Sequence, residues 1–122
     1  MQTTAADHSG RRGPHTRLEV EPLGFVIGDG RHRVYFAGDT DLFDGMADLG
    51  PLDVALVPIW GWGPTLGEGH LDPDRAATAV ELLDPQTVIP VHLGTYSPVR
   101  ARRGDPAWLG EPLARFRRAL EA

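Results

Sequence analysis

The stretch Val34-Tyr35-Phe36-Ala37-Gly38-Asp39-Thr40-Asp41 decides the reading of this chain. A short apolar run of strand-forming residues meets a glycine and stops on a carboxylate. A second run, Val88-Ile89-Pro90-Val91-His92-Leu93-Gly94-Thr95, stops in the same way on an imidazole, and Thr3-Thr4-Ala5-Ala6-Asp7-His8 has the same form. In α/β domains the residues just beyond the carboxyl ends of strands gather along one edge, where such folds build their sites. A carboxylate and two imidazoles on one edge are suitable ligands for zinc or a similar ion. The expectation is an α/β chain carrying a metal site, and part of that site only.

Working outward, Leu23–Ile27 and Arg33–Ala37 flank Gly28-Asp29-Gly30, whose residues tolerate positive φ, so the pair reads as a β-hairpin. Gln2–Ala6 reads as a short strand that starts abruptly, which favours a missing upstream segment. Ser9–Pro14 is a Gly/Arg/Pro loop, and Leu42–Leu49 is a helical turn or loop. Val54–Ile59 is apolar on both faces, as a buried central strand is. After the Gly/Pro/Trp loop Trp60–Gly69, Asp72-Pro73-Asp74 opens a helix, with Asp72 as cap and Pro73 at the first position. Ala76, Ala79, Val80 and Leu83 give that helix an apolar stripe. Val88–Val91 reads as the next buried strand, so strand, helix and strand form a βαβ crossover. Leu109, Leu113, Phe116 and Leu120 mark a closing amphipathic helix. This is half of a layered α/β structure, with no second half following.

Composition narrows the chemistry. The 122 residues make at most one domain, and 41% hydrophobic content is enough for a core. Net charge is −5, so nothing points to a nucleic-acid partner. All 12 basic residues are arginine, and Arg100, Arg102, Arg103, Arg115, Arg117 and Arg118 read as solvated faces. With no cysteine, thiolate sites, disulfides and cysteine nucleophiles are excluded, leaving His and carboxylate as ligands. No apolar stretch reaches the roughly 20 residues of a membrane span and no signal segment opens the chain, so a cytoplasmic protein is expected.

Each candidate has two readings. Asp39 either caps the following turn or bridges cations with its two oxygens, Gly38 supplying the tight turn; Asp41 is the better candidate for the cap. His92 is a hydrogen-bonded core residue or a ligand, and Pro90 marks local strain near a site. His8 is an exposed histidine or a ligand. His70, between a Trp-rich loop and the capped helix, is a surface histidine or a proton donor and oxyanion stabiliser. Arg11 and Arg12 hold a phosphate or are exposed in a loop. Trp60 and Trp62 wall an apolar pocket or cover a core edge. His15 and His32 receive no role.

In order along the chain, Ala6-Asp7-His8-Ser9-Gly10-Arg11-Arg12, Tyr35-Phe36-Ala37-Gly38-Asp39-Thr40, Gly69-His70-Leu71-Asp72-Pro73 and Pro90-Val91-His92-Leu93-Gly94-Thr95-Tyr96 resemble the C-terminal part of the metallo-β-lactamase-fold hydrolases. The branch they resemble holds N-acyl-phosphatidylethanolamine-hydrolysing phospholipase D and lactonase-like bacterial proteins. The resemblance implies that residues 1–122 are a partial domain, the C-terminal half of a four-layer αββα sandwich: a mixed sheet with helices on one face. It implies that His8 ligates a first metal, that Asp39 bridges two metals, that His92 ligates the second, and that His70 lines the site as the catalytic histidine. The divalent ion is zinc first, with manganese or iron as alternatives. The reaction is hydrolysis of a phosphodiester, ester or lactone in a small or lipid-like substrate by a metal-bound hydroxide. The family's His-x-His-x-Asp-His motif does not occur among these residues. The chain alone is therefore expected to be inactive, as a remnant or as a half that another chain or a missing N-terminal segment completes. An uncovered sheet face at Leu23–Ile27 and Val54–Ile59 would make it a homo-oligomer or poorly soluble.

Overall fold

The computed structural model describes residues 1–8, 21–60, 69–94 and 107–122. The readings of Ser9–Pro14, Arg11, Arg12, His15, Trp62, most of the Trp60–Gly69 loop and the 95–106 segment, and of the Leu109 side chain, lie outside the described residues. Five strands form one mixed sheet: β1 (Gln2–Ala5), β2 (Leu23–Gly28), β3 (Arg33–Phe36), β4 (Val54–Pro58) and β5 (Thr87–Val91). They lie in the sheet in the order in which they occur in the sequence. β1 and β3 each pair antiparallel with β2, while β3, β4 and β5 are parallel neighbours. Four strands, β1, β3, β4 and β5, thus run the same way and deliver their carboxyl ends to one edge.

The hairpin forms where its turn chemistry places it. Asp29 Oδ1 accepts the amides of Arg31 (2.8 Å) and His32 (2.7 Å), and Gly30 supplies φ of +90°. These bonds lower the Asp29 carboxyl from the ordinary 3.8 to about 2, the His32 amide contributing most. The parallel pair β4–β5 is joined through α1 (Pro73–Leu83). Asp72 caps α1 by accepting the Arg75 amide at 2.8 Å, Pro73 occupies the first turn, and Asp84 ends the helix at φ +43°. The helical turn expected within Leu42–Leu49 is a 3-10 helix over Asp44–Asp48, and its N-terminus after Phe43 has no side-chain cap. Asp41 is therefore not the cap; its carboxylate takes the Leu42 amide and the Arg75 guanidinium instead.

The strands alternate. Val26, Tyr35, Ala37, Ala55 and Val57 point to one face and are buried against Ala76, Ala77, Ala79 and Leu83 of α1 and Phe116 of α2 (Ala107–Glu121). Burial pushes the Tyr35 hydroxyl's pKa up. Arg115 ties α2 to α1 through a bidentate pairing with Asp74, and the guanidinium holds that carboxyl below its ordinary range. Leu113 packs partly and Phe116 fully, but Leu120 is 39% exposed, so the stripe does not reach the end of α2.

The other face carries Leu23, Phe25, Ile27, Val34, Phe36, Val54, Leu56 and Ile89, placed together by the register. Leu23, Ile27, Phe36 and Ile89 are each more than 40% exposed. Val54–Ile59 therefore supplies an interior strand fully buried on one face and half-buried at Val54 and Leu56 on the other. Val88–Val91 is an edge strand rather than a buried one, which suits Pro90, since an edge spares it a missing ladder donor.

Candidate metal centre

Gly38 makes the corner after β3. Its φ is +65°, and a Cβ there would come within 3.2 Å of the Leu23 carbonyl, so glycine lets the backbone swing Asp39 off the strand without strain or crowding. Because β1, β3, β4 and β5 run in one direction, His8, Asp39, Trp60 and His92 all leave the sheet along the same edge. His70 reaches it from the other side, since the Leu71 amide donates to the Thr40 carbonyl (3.0 Å) just before α1 starts.

The structure brings these side chains together in two pairs. His92 Nε2 stands 3.4 Å from Asp39 Oδ1, and His8 Nε2 stands 3.2 Å from His70 Nε2 with the rings nearly perpendicular. Among the described residues, no three His, Asp or Glu side chains converge as a set able to hold a metal ion.

The His92 ring is fixed from behind. Nδ1 lies 2.8 Å from the Trp60 carbonyl oxygen, which can only accept, so Nδ1 carries a proton, and in the neutral ring Nε2 presents its lone pair. That lone pair faces a carboxylate oxygen, another acceptor. Two acceptors so placed call for a positive charge between them, either a proton on the ring or a metal ion. On a tetrahedral zinc with bonds of about 2.0–2.2 Å, neighbouring ligand atoms lie about 3.3–3.6 Å apart. The His92–Asp39 span of 3.4 Å falls inside that range, while the His8–His70 span of 3.2 Å falls just short of it. The donor chemistry fits a divalent cation, with two ligands in each pair where a catalytic zinc takes three from protein. His92 itself adopts φ of +60°, a left-handed conformation that non-glycine residues occupy at a cost. Among the described residues, the buried His70 Nδ1 and Trp60 Nε1 meet no hydrogen-bond partner.

Three contributors were not visible beforehand. The Trp60 carbonyl orients His92, while its ring packs against the core, which matches the reading of Trp60 as cover for a core edge. Thr40, fully buried, bonds the segments on either side of it. Arg75 on α1 grips Asp41 (Nε to Oδ1, 2.7 Å). The Asp-Pro-Asp-Arg start of α1 was a signal for Arg75's place near the corner; a backbone carbonyl leaves none.

A mixed sheet covered by helices on one face, with His and Asp side chains gathered along the carboxyl edge of its strands, defines a chain of the metallo-β-lactamase fold. The chain belongs to the beta-lactamase superfamily, since residues 1–93 match the family described as the Beta-lactamase superfamily domain. It is similar to proteins named UPF0173 metal-dependent hydrolase. One from Caldivirga maquilingensis is 39% identical over 103 residues, covering 82% of this chain and 43% of the relative. One from Thermus thermophilus is 44% identical over 81 residues, covering 65% of this chain and 34% of the relative. Among solved structures, Igni18, a novel metallo hydrolase from Ignicoccus hospitalis, matches with a TM-score of 0.65 and 32% identity over 98% of this chain and 43% of that one. The metallo-beta-lactamase fold protein YhfI from Bacillus subtilis, at TM-score 0.60 and 17% identity, covers 90% of this chain and 40% of its own, a likeness of fold alone. The chain thus spans less than half the length of these relatives.

Proposed function

We propose that this chain is the His92-bearing part of a divalent-metal-dependent hydrolase, in the branch with N-acyl-phosphatidylethanolamine phospholipase D-like and lactonase-like members. The observation that carries the reading is the His92 ring, fixed by the Trp60 carbonyl with its Nε2 3.4 Å from Asp39 Oδ1. Asp39 and His92 would hold one ion, and His8 would be a ligand of another; zinc is the first choice, and manganese or iron suits the same donors. When bound, such an ion supplies Lewis acidity and a lowered water pKa for hydrolysis of a phosphodiester, ester or lactone. The Asp39 carboxylate supplies negative charge at the corner. The Trp60 carbonyl keeps the His92 ring in one tautomer. His70 meets His8 through Nε2, where one imidazole donates to the other, and would give a proton to a leaving oxygen. The remaining ligands would come from another chain or from further sequence of a longer protein. The substrate is small or lipid-like.

The test is metal content and zinc affinity of the purified chain beside Asp39→Ala and His92→Ala. Stoichiometric zinc that is lost in both variants supports the reading and directs substrate screens to phosphodiesters and lactones. Zinc binding indifferent to both substitutions overturns it.

The uncharged open sheet face favours a second reading, a non-catalytic half-domain that associates through that face. Binding of a partner or of a second copy with no metal in the complex would favour it over the first.

A further inference from the structure

The buried side chain that joins the parts of this site is a threonine. Thr40 is 0% exposed. Its Oγ1 accepts the Asp7 amide at 2.9 Å and donates to the Asp41 carbonyl at 2.8 Å, so one hydroxyl serves as acceptor and donor at once. Its own carbonyl accepts the Leu71 amide at 3.0 Å. The Asp41 amide donates in turn to the Asp7 carbonyl at 2.7 Å, closing an isolated antiparallel bridge between residues 7 and 41. Asp7 directly precedes His8, Leu71 directly follows His70, and Thr40 directly follows Asp39. Three segments widely separated in sequence are therefore bonded at a single residue, one step away from each of three site side chains.

We infer that Thr40 is a positioning residue: its hydroxyl and carbonyl hold His8 against His70 beside Asp39. The inference deepens the metal-hydrolase reading and rests on it for its purpose, though not for its geometry. The hydroxyl is the selective element. Valine has nearly the same shape, but it leaves the Asp7 amide and the Asp41 carbonyl without this partner in a part-buried place. Serine keeps the hydroxyl and loses only a methyl group.

The experiment compares Thr40→Val and Thr40→Ser with the unsubstituted chain in two measurements. The first is the NMR cross-peak between the ring protons of His8 and His70 in metal-free protein. The second is zinc affinity by chelator competition. Thr40→Val is expected to lose the cross-peak and to weaken zinc binding at least about 10-fold, as loss of partners behind metal ligands does, while Thr40→Ser restores both. A retained cross-peak in Thr40→Val, or a Thr40→Ser variant as impaired as Thr40→Val, overturns the inference. Amide exchange in the unsubstituted chain gives a check that needs no variant: protected Asp7 and Leu71 amides are expected, and freely exchanging ones overturn it. If Asp39→Ala and His92→Ala leave zinc binding unchanged, the hydrolase reading fails while the cross-peak still decides the role of Thr40.

Discussion

At the scale of single residues, the site is set by conformations that side-chain identity only partly dictates. His92 adopts φ of +60°, where an L-residue with a Cβ is strained. His92→Ala and His92→Gly both lose the ring's bond to the Trp60 carbonyl, but only glycine relieves the backbone. The glycine variant is expected to be the more stable of the two by about 1 kcal/mol in urea unfolding, the reverse of the order at an ordinary strand position. Equal stabilities, or a more stable alanine variant, would show that residue 92 is not left-handed in solution. The corner at Gly38-Asp39 was readable because a glycine between a strand and a carboxylate has few other uses. The partner that fixes His92 was not, because every residue owns a carbonyl and only the fold says which one faces an imidazole. Asp41 misled for a related reason: an Asp before an apolar segment has the chemistry of a cap, and only the approach of Arg75 from α1 shows where that carboxylate goes.

At the scale of elements, the hairpin and α1 follow from local chemistry, and their limits follow from packing. Gly24 in β2 lies where an added Cβ would come 2.6 Å from Thr4 Oγ1 and 3.1 Å from the Tyr35 ring. Gly24→Ala is expected to destabilise the sheet by about 1–3 kcal/mol through overpacking, read as a lower urea midpoint at unchanged slope. The β2–β3 turn carries a pH signature. Because the Asp29 carboxyl falls from 3.8 to about 2 on folding, its contribution to the turn is complete above 3.8 and is lost as pH falls through about 2. The His32 amide resonance should move through that window, and in Asp29→Asn it should stay still; an unmoved resonance in the unsubstituted chain would contradict the turn's geometry. The strand run Val88–Val91 and the helix stripe ending at Leu120 were legible as elements but not as to depth. Four apolar residues look the same in a central and an edge strand, and a stripe of leucines says nothing about where the facing helix stops.

At the scale of the whole molecule, the imbalance between the two sheet faces dominates. One face is closed by α1 and α2. The other presents only apolar and threonine side chains from its strands, with Leu23, Ile27, Phe36 and Ile89 well exposed. Contiguous apolar surface of this kind seeks a cover. The chain alone is expected to self-associate in light scattering, and Ile27→Lys combined with Phe36→Lys should shift it towards monomer without loss of helix signal. A monodisperse monomer before substitution would count against the prediction. No helix among the described residues is long and apolar enough to cross a membrane. The identity of the sheet's order with the order of the sequence has a consequence for how the molecule is made. Among the described residues each strand pairs with the one made before it, and none lies between two earlier ones. α1 is made between the two strands it connects. His8 and Asp39 are synthesised before His92, so the His92–Asp39 contact has to wait for β5.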